Sequence, residues 1–271
     1  MRHIRCFLAV ARVGSVTHAA RQLNSSQPAV SRTLAEIEEI IGVPLFERTG
    51  RGVALTEAGE KLAAELGGVF AKVDVSDPES VAAGFEKIRA KNGQERIMVN
   101  CAGIGTIGKT VSRGEVHDAG KFAKTLMVNT AGTFNCASQS ALGMTEAEPV
   151  TADGERGVII NTASVAAFDG QIGQVAYAAS KGAVVGMTLP MARDLSKNGI
   201  RVMTIAPGLF FTPMMEGLPE EAQQSLGAQV PFPSRLGQPS EYAAMAKHIV
   251  ENSMLNGEVI RLDGAIRMAP K

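Results

Sequence analysis

An excess of charge of one sign is what this chain most plainly lacks: 27 basic residues face 27 acidic ones. No global field therefore points to nucleic acid or to an anionic membrane, although a small module can still carry a local patch. Cysteine is scarce as well. Cys6, Cys101 and Cys136 are an odd, scattered set without a C-x-x-C pair, which argues against a disulfide framework. His3, His18, His117 and His248 show no metal-ligand spacing with cysteines or acids, so no metal site is expected. No apolar run reaches the length of a membrane span. Arg12 cuts the first apolar stretch, and no clear signal-peptidase site follows. These gaps predict a soluble cytoplasmic protein with no membrane partner. What is present suffices for a sizeable core: 271 residues, 45% hydrophobic, fit one large α/β domain or two smaller ones.

The first sixty residues read as three short helices and a hairpin. Ile4, Phe7, Leu8 and Ala11 fall at i, i+3, i+4 and i+7, one face of a helix that Gly14 ends. Ser15 can cap a second helix carrying Ala19, Ala20 and Leu23 inward. Ser26 can cap a third, with Pro28 in its first turn, where a missing N–H costs nothing. Along it Val30, Leu34, Ile37 and Ile41 form the expected buried stripe, with Gln27, Ser31, Arg32 and Thr33 on the opposite face. "PLFERTGRGVALT" then reads as a hairpin about Gly50 and Gly52. Side chains such as Gln27, Ser31 and Arg32 can reach base edges and phosphates in a major groove. Arg48 and Arg51 on the hairpin can meet backbone phosphate. Residues 1–60 hold seven Arg, no Lys and six Glu, so the module is barely basic.

"SQPAVSRTLAEIEEIIGVPLFER", with nearly all of residues 1–60 around it, resembles the N-terminal DNA-binding domain of LysR-type transcription regulators. The resemblance implies a winged helix-turn-helix over residues 1–62. It implies that Gln27, Pro28, Ser31, Arg32, Arg48 and Arg51 contact duplex DNA. It also implies a linker helix leading into an effector domain of two α/β lobes, and no such sequence follows.

From residue 63 onward the pattern changes to strand-like runs alternating with helical ones, the pattern of a Rossmann-like doubly wound parallel sheet. "VFAKVDV", "RIMVNCA", "GVIINTAS", "IRVMTIAPG" and "GEVIRLDG" are the strand candidates. Tyr177 and Lys181 stand at i and i+4, so both project from one face of a helix. A phenol is a poor base at neutral pH, and a neighbouring ammonium is expected to lower its pKa enough for proton exchange with a substrate hydroxyl. Ser164, at the end of the preceding strand, can hydrogen-bond the same oxygen. A Tyr and a Lys one turn apart often share a solvated face; with Ser164 and "APGLFFTP" the pattern is far more specific.

These residues resemble the short-chain dehydrogenase/reductase family, over roughly residues 65–271. The resemblance implies Ser164, Tyr177, Lys181 and Asn129 as the catalytic set. It implies an NAD site built from Asp74, Val75, Asn100, Cys101, Ala102, Gly103, Tyr177, Lys181, Pro207, Gly208, Phe210 and Thr212. Within the family, "GVIINTASVAAFDGQIGQVAYAASKG" and "NGEVIRLDGAIRM" look most like type 2 3-hydroxyacyl-CoA dehydrogenases. That implies an acyl-CoA-type substrate near Ser164 and Gln174, and a homo-oligomer. "LFFTPMMEGL" suits either a lid over an acyl chain or an ordinary surface helix.

The junction sets the two resemblances against each other. In the dehydrogenase pattern, a first strand, a glycine-rich turn with its helix, and a second strand should precede "GEKLAAELGGVFAKVDV"; the regulator-like module occupies that place. "GIGTIG", residues 103–108, satisfies G-x-G-x-x-G but opens no apolar helix, so it reads as part of the "NCAG" loop. The expected architecture is a winged helix-turn-helix joined to an N-terminally truncated Rossmann-like sheet, as in a gene fusion. Three functions follow from it: an NAD-dependent oxidoreductase with impaired cofactor binding, a DNA-binding regulator with a non-catalytic dehydrogenase-like part, or a fusion with neither activity.

Overall fold

The computed structural model describes residues 2–49, 52–65, 71–212 and 219–270, and the chain divides into two compact units, Met1–Phe70 and Ala71–Lys271. Arg51, within the first unit, lies outside the described residues, as does most of "LFFTPMMEGL".

In the first unit, α1 (Arg2–Val13), α2 (Val16–Gln22) and α3 (Gln27–Ile41) precede an antiparallel hairpin of β1 (Phe46–Thr49) and β2 (Gly52–Leu55), and α4 (Glu57–Glu65) follows. Capping sets the helix starts. The Ser15 hydroxyl accepts from the His18 N–H at 3.3 Å, and Ser26 accepts from Ala29 at 3.4 Å. Gly42, at φ +80°, ends α3 in the left-handed conformation that glycine adopts without strain. The core is Cys6, Phe7, Val10, Ala19, Ala20, Val30, Leu34, Ile37 and Leu45. Three expectations of its pattern are corrected. Ile4 and Ile41 are 45% and 43% exposed, because each lies near a helix end that the small core does not reach. Thr33 is buried and donates its hydroxyl to the Ala29 carbonyl at 3.0 Å, so it belongs to the inner face of α3.

The second unit is built on four parallel strands, β3 (Ile97–Asn100), β6 (Gly157–Thr162), β7 (Ile200–Pro207) and β8 (Val259–Leu262), paired in that spatial order. A small hairpin, β4 (Val111–Ser112) and β5 (Glu115–Val116), follows β3. The helices are α5 (Pro78–Asn92), α6 (Ala119–Leu126), α7 (Gly132–Thr145), α8 (Val175–Leu195), α9 (Glu220–Gly227) and α10 (Pro239–Glu251). Alternate strand residues serve the two faces. Ile159 and Val202 pack with Ala141, Met144, Met191 and Ala192 of α7 and α8. Val158, Ile160, Met203 and Ile205 pack with Ile249 of α10. Burial on both sides explains why "GVIINT" and "IRVMTIAP" are apolar without alternation. Among the described residues no helix is long and apolar enough to cross a membrane.

The fifth strand candidate is corrected. Val69 and Phe70 of "VFAKVDV" lie outside the described residues, and residues 71–75 form no strand. A strand requires a ladder partner, and β3 is hydrogen-bonded to β6 alone among the described residues. Residues 71–75 pack instead by side chain and side-chain hydrogen bond: Val73 against Gly84, and the Val75 carbonyl on Asn135 Nδ2 at 3.0 Å. Ile97 and Val99 share the face of Val158 and Ile160 by register, yet are 49% and 37% exposed.

Candidate active site

Parallel strands bring their C-terminal ends to one rim of the sheet, and the loops that leave it collect the chemistry. Ser164 stands two residues beyond β6 and caps the short 3-10 turn Val165–Ala167, its hydroxyl accepting from the Ala166 N–H at 3.1 Å. Gln174 precedes α8 and takes the Gln171 N–H on Oε1 at 2.9 Å. It also lines a cavity of about 390 Å³ with Gly108, Lys109, Gln171 and Val175. Tyr177 lies in the first turn of α8 and Lys181 one turn on.

Lys181 is 5% exposed. Its ammonium donates to the Thr162 carbonyl at 2.7 Å and lies 5.8 Å from the centre of the Tyr177 ring. Burial lowers its pKa to about 8, with Cys101 opposing the shift. The expected effect of Lys181 on Tyr177 is corrected. Burial raises the phenol above its ordinary value, and the opposing pull comes from the Ser164 hydroxyl. Burial thus favours the neutral O–H form of the phenol.

Asn129 is fully buried in a π-helical turn, Met127–Ala131, between α6 and α7. Such one-residue widenings recur at functional sites because they turn a side chain off the regular helical face. Its Oδ1 accepts from the Ile104 N–H at 2.8 Å, and its Nδ2 donates to the Ile104 carbonyl at 2.9 Å and to Ser180 Oγ at 3.0 Å. Asn129 thereby ties the loop after β3 to α8. At the end of β3, Asn100 Nδ2 donates to Asn161 Oδ1 at 2.9 Å, and in the loop beyond it Cys101 and Ala102 are exposed. Gly103 sits between two site residues: a Cβ there would stand 3.3 Å from Asn129 Oδ1 and 3.6 Å from Lys181 Nζ. Residues 103–108 lead into the β4–β5 hairpin rather than a helix.

Pro207 closes β7, and the Gly208 N–H donates to the Leu262 carbonyl at 2.9 Å. Phe210 forms a bridge with Gly237, and Thr212 is exposed. Asp74 is exposed, its carboxyl held below the usual range by the Ser76 hydroxyl and N–H. Val75 packs on Gly132 at the start of α7. The structure thus gathers Ser164, Tyr177, Lys181, Asn129 and residues 100–103 around one rim. Sequence reasoning missed the Thr162 carbonyl and Ser180, which hold Lys181 and Asn129. Only the adjacency of Ser180 to Lys181 could have pointed to either.

A strand–loop–helix unit that presents a serine beyond the strand, and a buried lysine one turn after a tyrosine, is matched by the family model for short chain dehydrogenases over residues 48–223. The chain belongs to this family. Residues 1–60 also match the model of the bacterial regulatory helix-turn-helix proteins of the lysR family. Among short-chain dehydrogenase relatives, the chain is 54% identical to the 3-hydroxyacyl-CoA dehydrogenase type-2 of Drosophila melanogaster, over 78% of this chain and 84% of that protein. The Homo sapiens protein of the same name is 55% identical over 78% of this chain and 82% of its own length. The crystal structure of a 3-hydroxyacyl-CoA dehydrogenase type-2 from Mycobacterium avium superposes with a TM-score of 0.72 at 46% identity, covering 79% of this chain and 84% of that one.

Proposed function

We propose that the chain is an oxidoreductase that interconverts a 3-hydroxyacyl-CoA and its 3-keto form, with NAD as the redox partner and Ser164, Tyr177, Lys181 and Asn129 as its working residues. One observation carries the reading: Lys181 is buried beside Tyr177 with its ammonium on the Thr162 carbonyl, and the Ser164 hydroxyl interacts with the same phenol. The names of the relatives support the substrate class.

These residues suit NAD at its two ends but not at its pyrophosphate. Lys181, residues 100–103 and the backbone at Gly208 suit the nicotinamide and its ribose, and Asp74 with Val75 suits the adenine. The pyrophosphate needs backbone N–H groups at a helix N-terminus. Among the described residues of the second unit, no glycine-rich turn opens a helix ahead of β3. We therefore infer that the strand–turn–helix holding the phosphates is missing and that NAD binds weakly.

When bound, the nicotinamide supplies or takes the hydride. The chain's own groups do the rest. In the reducing direction the Tyr177 O–H, kept protonated by burial, donates its proton to the keto oxygen. Ser164 Oγ holds that oxygen by a hydrogen bond that strengthens as negative charge grows on it. Lys181, with its pKa brought to about 8, exchanges protons near neutrality and can restore the phenol. Gln174 and the cavity beside it suit the acyl portion of the substrate.

NADH titration of the purified chain, followed by acetoacetyl-CoA reduction with Tyr177→Phe as control, tests the reading. Saturable binding with turnover lost in the variant supports it. A folded chain that binds no NADH refutes it.

A second reading concerns the first unit. Gln27, Pro28, Arg32 and Arg48 are exposed and Ser31 is half-buried, so we infer that the helices and hairpin form a winged helix-turn-helix for duplex DNA, with Arg32 on the groove-facing side. A salt-dependent gel shift that disappears in Arg32→Ala is expected; no shift at low salt would end this reading.

A further inference from the structure

One loop of the site, residues 165–174, runs from Ser164 to the helix of Tyr177, and another begins at Pro207 and Gly208. Arg261 reaches towards both. It pairs in register with Ala206, which places it beside the end of β7. Its Nη2 donates to Asp169 Oδ2 at 2.6 Å, and its Nε donates to Asp263 Oδ2 at 2.7 Å. The side chains are shielded, with exposures of 21% for Arg261, 20% for Asp169 and 8% for Asp263. The guanidinium also covers the Phe168 ring, 5.2 Å from its centre.

Asp263 in turn backs the second loop. A Cβ on Gly208 would stand 2.8 Å from Asp263 Cβ, so the two backbones approach as closely as glycine permits. Arg261 Nη2 donates as well to the Ile266 carbonyl at 2.9 Å. The segment beyond returns over the first loop: the Ala269 carbonyl accepts from Gln171 Nε2 at 2.9 Å, and the Pro270 carbonyl from the Ile172 N–H at 3.0 Å.

We propose that Arg261 is a positioning residue of the dehydrogenase site: its guanidinium joins the loop after Ser164 to the loop that opens at Gly208 and sets the spacing between them. This rests on the oxidoreductase reading, in which the first loop faces the substrate and the second the nicotinamide. Arg261 touches no reacting atom and acts through Asp169 and Asp263. A planar fork can serve two carboxylates from different directions, whereas an ammonium is a single point charge, so lysine is a poor substitute here.

Amide hydrogen exchange on the full chain, comparing wild type with Arg261→Gln and Arg261→Lys, tests the join. In Arg261→Gln, amides at residues 168–172 and at Gly208 should exchange at least about tenfold faster, while those of β6 and α8 keep their protection. Arg261→Lys should fall between. A change in one loop only, or an equal loss throughout the second unit, overturns the proposal. Kinetics supply a second arm. Acetoacetyl-CoA reduction by Arg261→Gln should lose about ten- to a hundredfold in kcat with a smaller change in KM, and adding Asp169→Asn should cost little more. Wild-type turnover with an unchanged kcat in Arg261→Gln defeats the positioning role alone. Absence of wild-type turnover defeats the oxidoreductase reading, and the exchange result still decides whether Arg261 joins the loops.

Discussion

The two compact units carry the side chains to which the proposals assign function in opposite settings. In the first, Gln27, Pro28, Arg32 and Arg48 stand in solvent over an apolar core, and Thr33 is the one buried polar residue there among the described residues. In the second, the groups suited to chemistry are among the most buried polar ones, with Asn129 at 0% and Lys181 at 5% exposure. A recognition face needs only an ordered helix beneath it, because its partners arrive from outside. The proposed proton-handling lysine depends on burial, which lowers its pKa to about 8. A buried amide needs partners in the protein, and the Asn129 side chain makes three hydrogen bonds.

The contrast can be broken or sharpened by mutation. Tyr177→Phe should have the largest effect, a loss of about a thousandfold in acetoacetyl-CoA turnover with little change in melting temperature, read by steady-state kinetics and calorimetry. Next comes Phe7→Ala, which empties the centre of the first core and should cost that unit about 3–5 kcal/mol. Amide exchange should show residues 2–65 losing protection while β6 and β7 keep theirs; joint loss would mean that the units fold as one.

Lys181→Met should act through pH. The lysine falls from an ordinary value of 10.5 to about 8 on folding, so its burial penalty is present in full below pH 8. The penalty fades as pH rises towards 10.5, because the unfolded chain then binds more protons than the folded one. In urea titrations the variant should exceed wild type by about 2–3 kcal/mol at pH 7.5, with the gap narrowing by pH 10. A gap independent of pH would place the effect in packing alone. The smallest change is expected in the first unit: Ser26→Ala removes the cap of α3 and should cost about 1 kcal/mol, measured by the same titration.

Much of this was legible in the chain. Ser15, Ser26, Gly14 and Gly42 mark helix boundaries by local chemistry, and those boundaries hold. Four of the five strand candidates form: β6 and β7 are buried on both faces, while β3 and β8 are held by their parallel pairing to those two strands. "VFAKVDV" misled because its local propensity is that of a strand, whereas pairing depends on a neighbour elsewhere in the chain. Ile4, Ile41 and Thr33 were misassigned for a related reason: helical spacing defines a stripe but not how far the core extends beneath it. At the site, the i, i+4 spacing revealed Tyr177 and Lys181. It could not reveal the Thr162 carbonyl, since every residue has one, nor Arg261, which lies 80 residues beyond Lys181.

The sequence by itself determined the two modules, the strand runs and the helix that presents Tyr177 and Lys181 on one face, because these follow from periodicities of two and 3.6 residues and from capping chemistry. Only the tertiary structure decided that β3 pairs with β6 alone among the described residues and leaves Ile97 and Val99 exposed, that burial raises the Tyr177 phenol, and that Arg261 hydrogen-bonds both Asp169 and Asp263. Those outcomes depend on through-space neighbours and on local solvation, and neither is written in the spacing of residues along the chain.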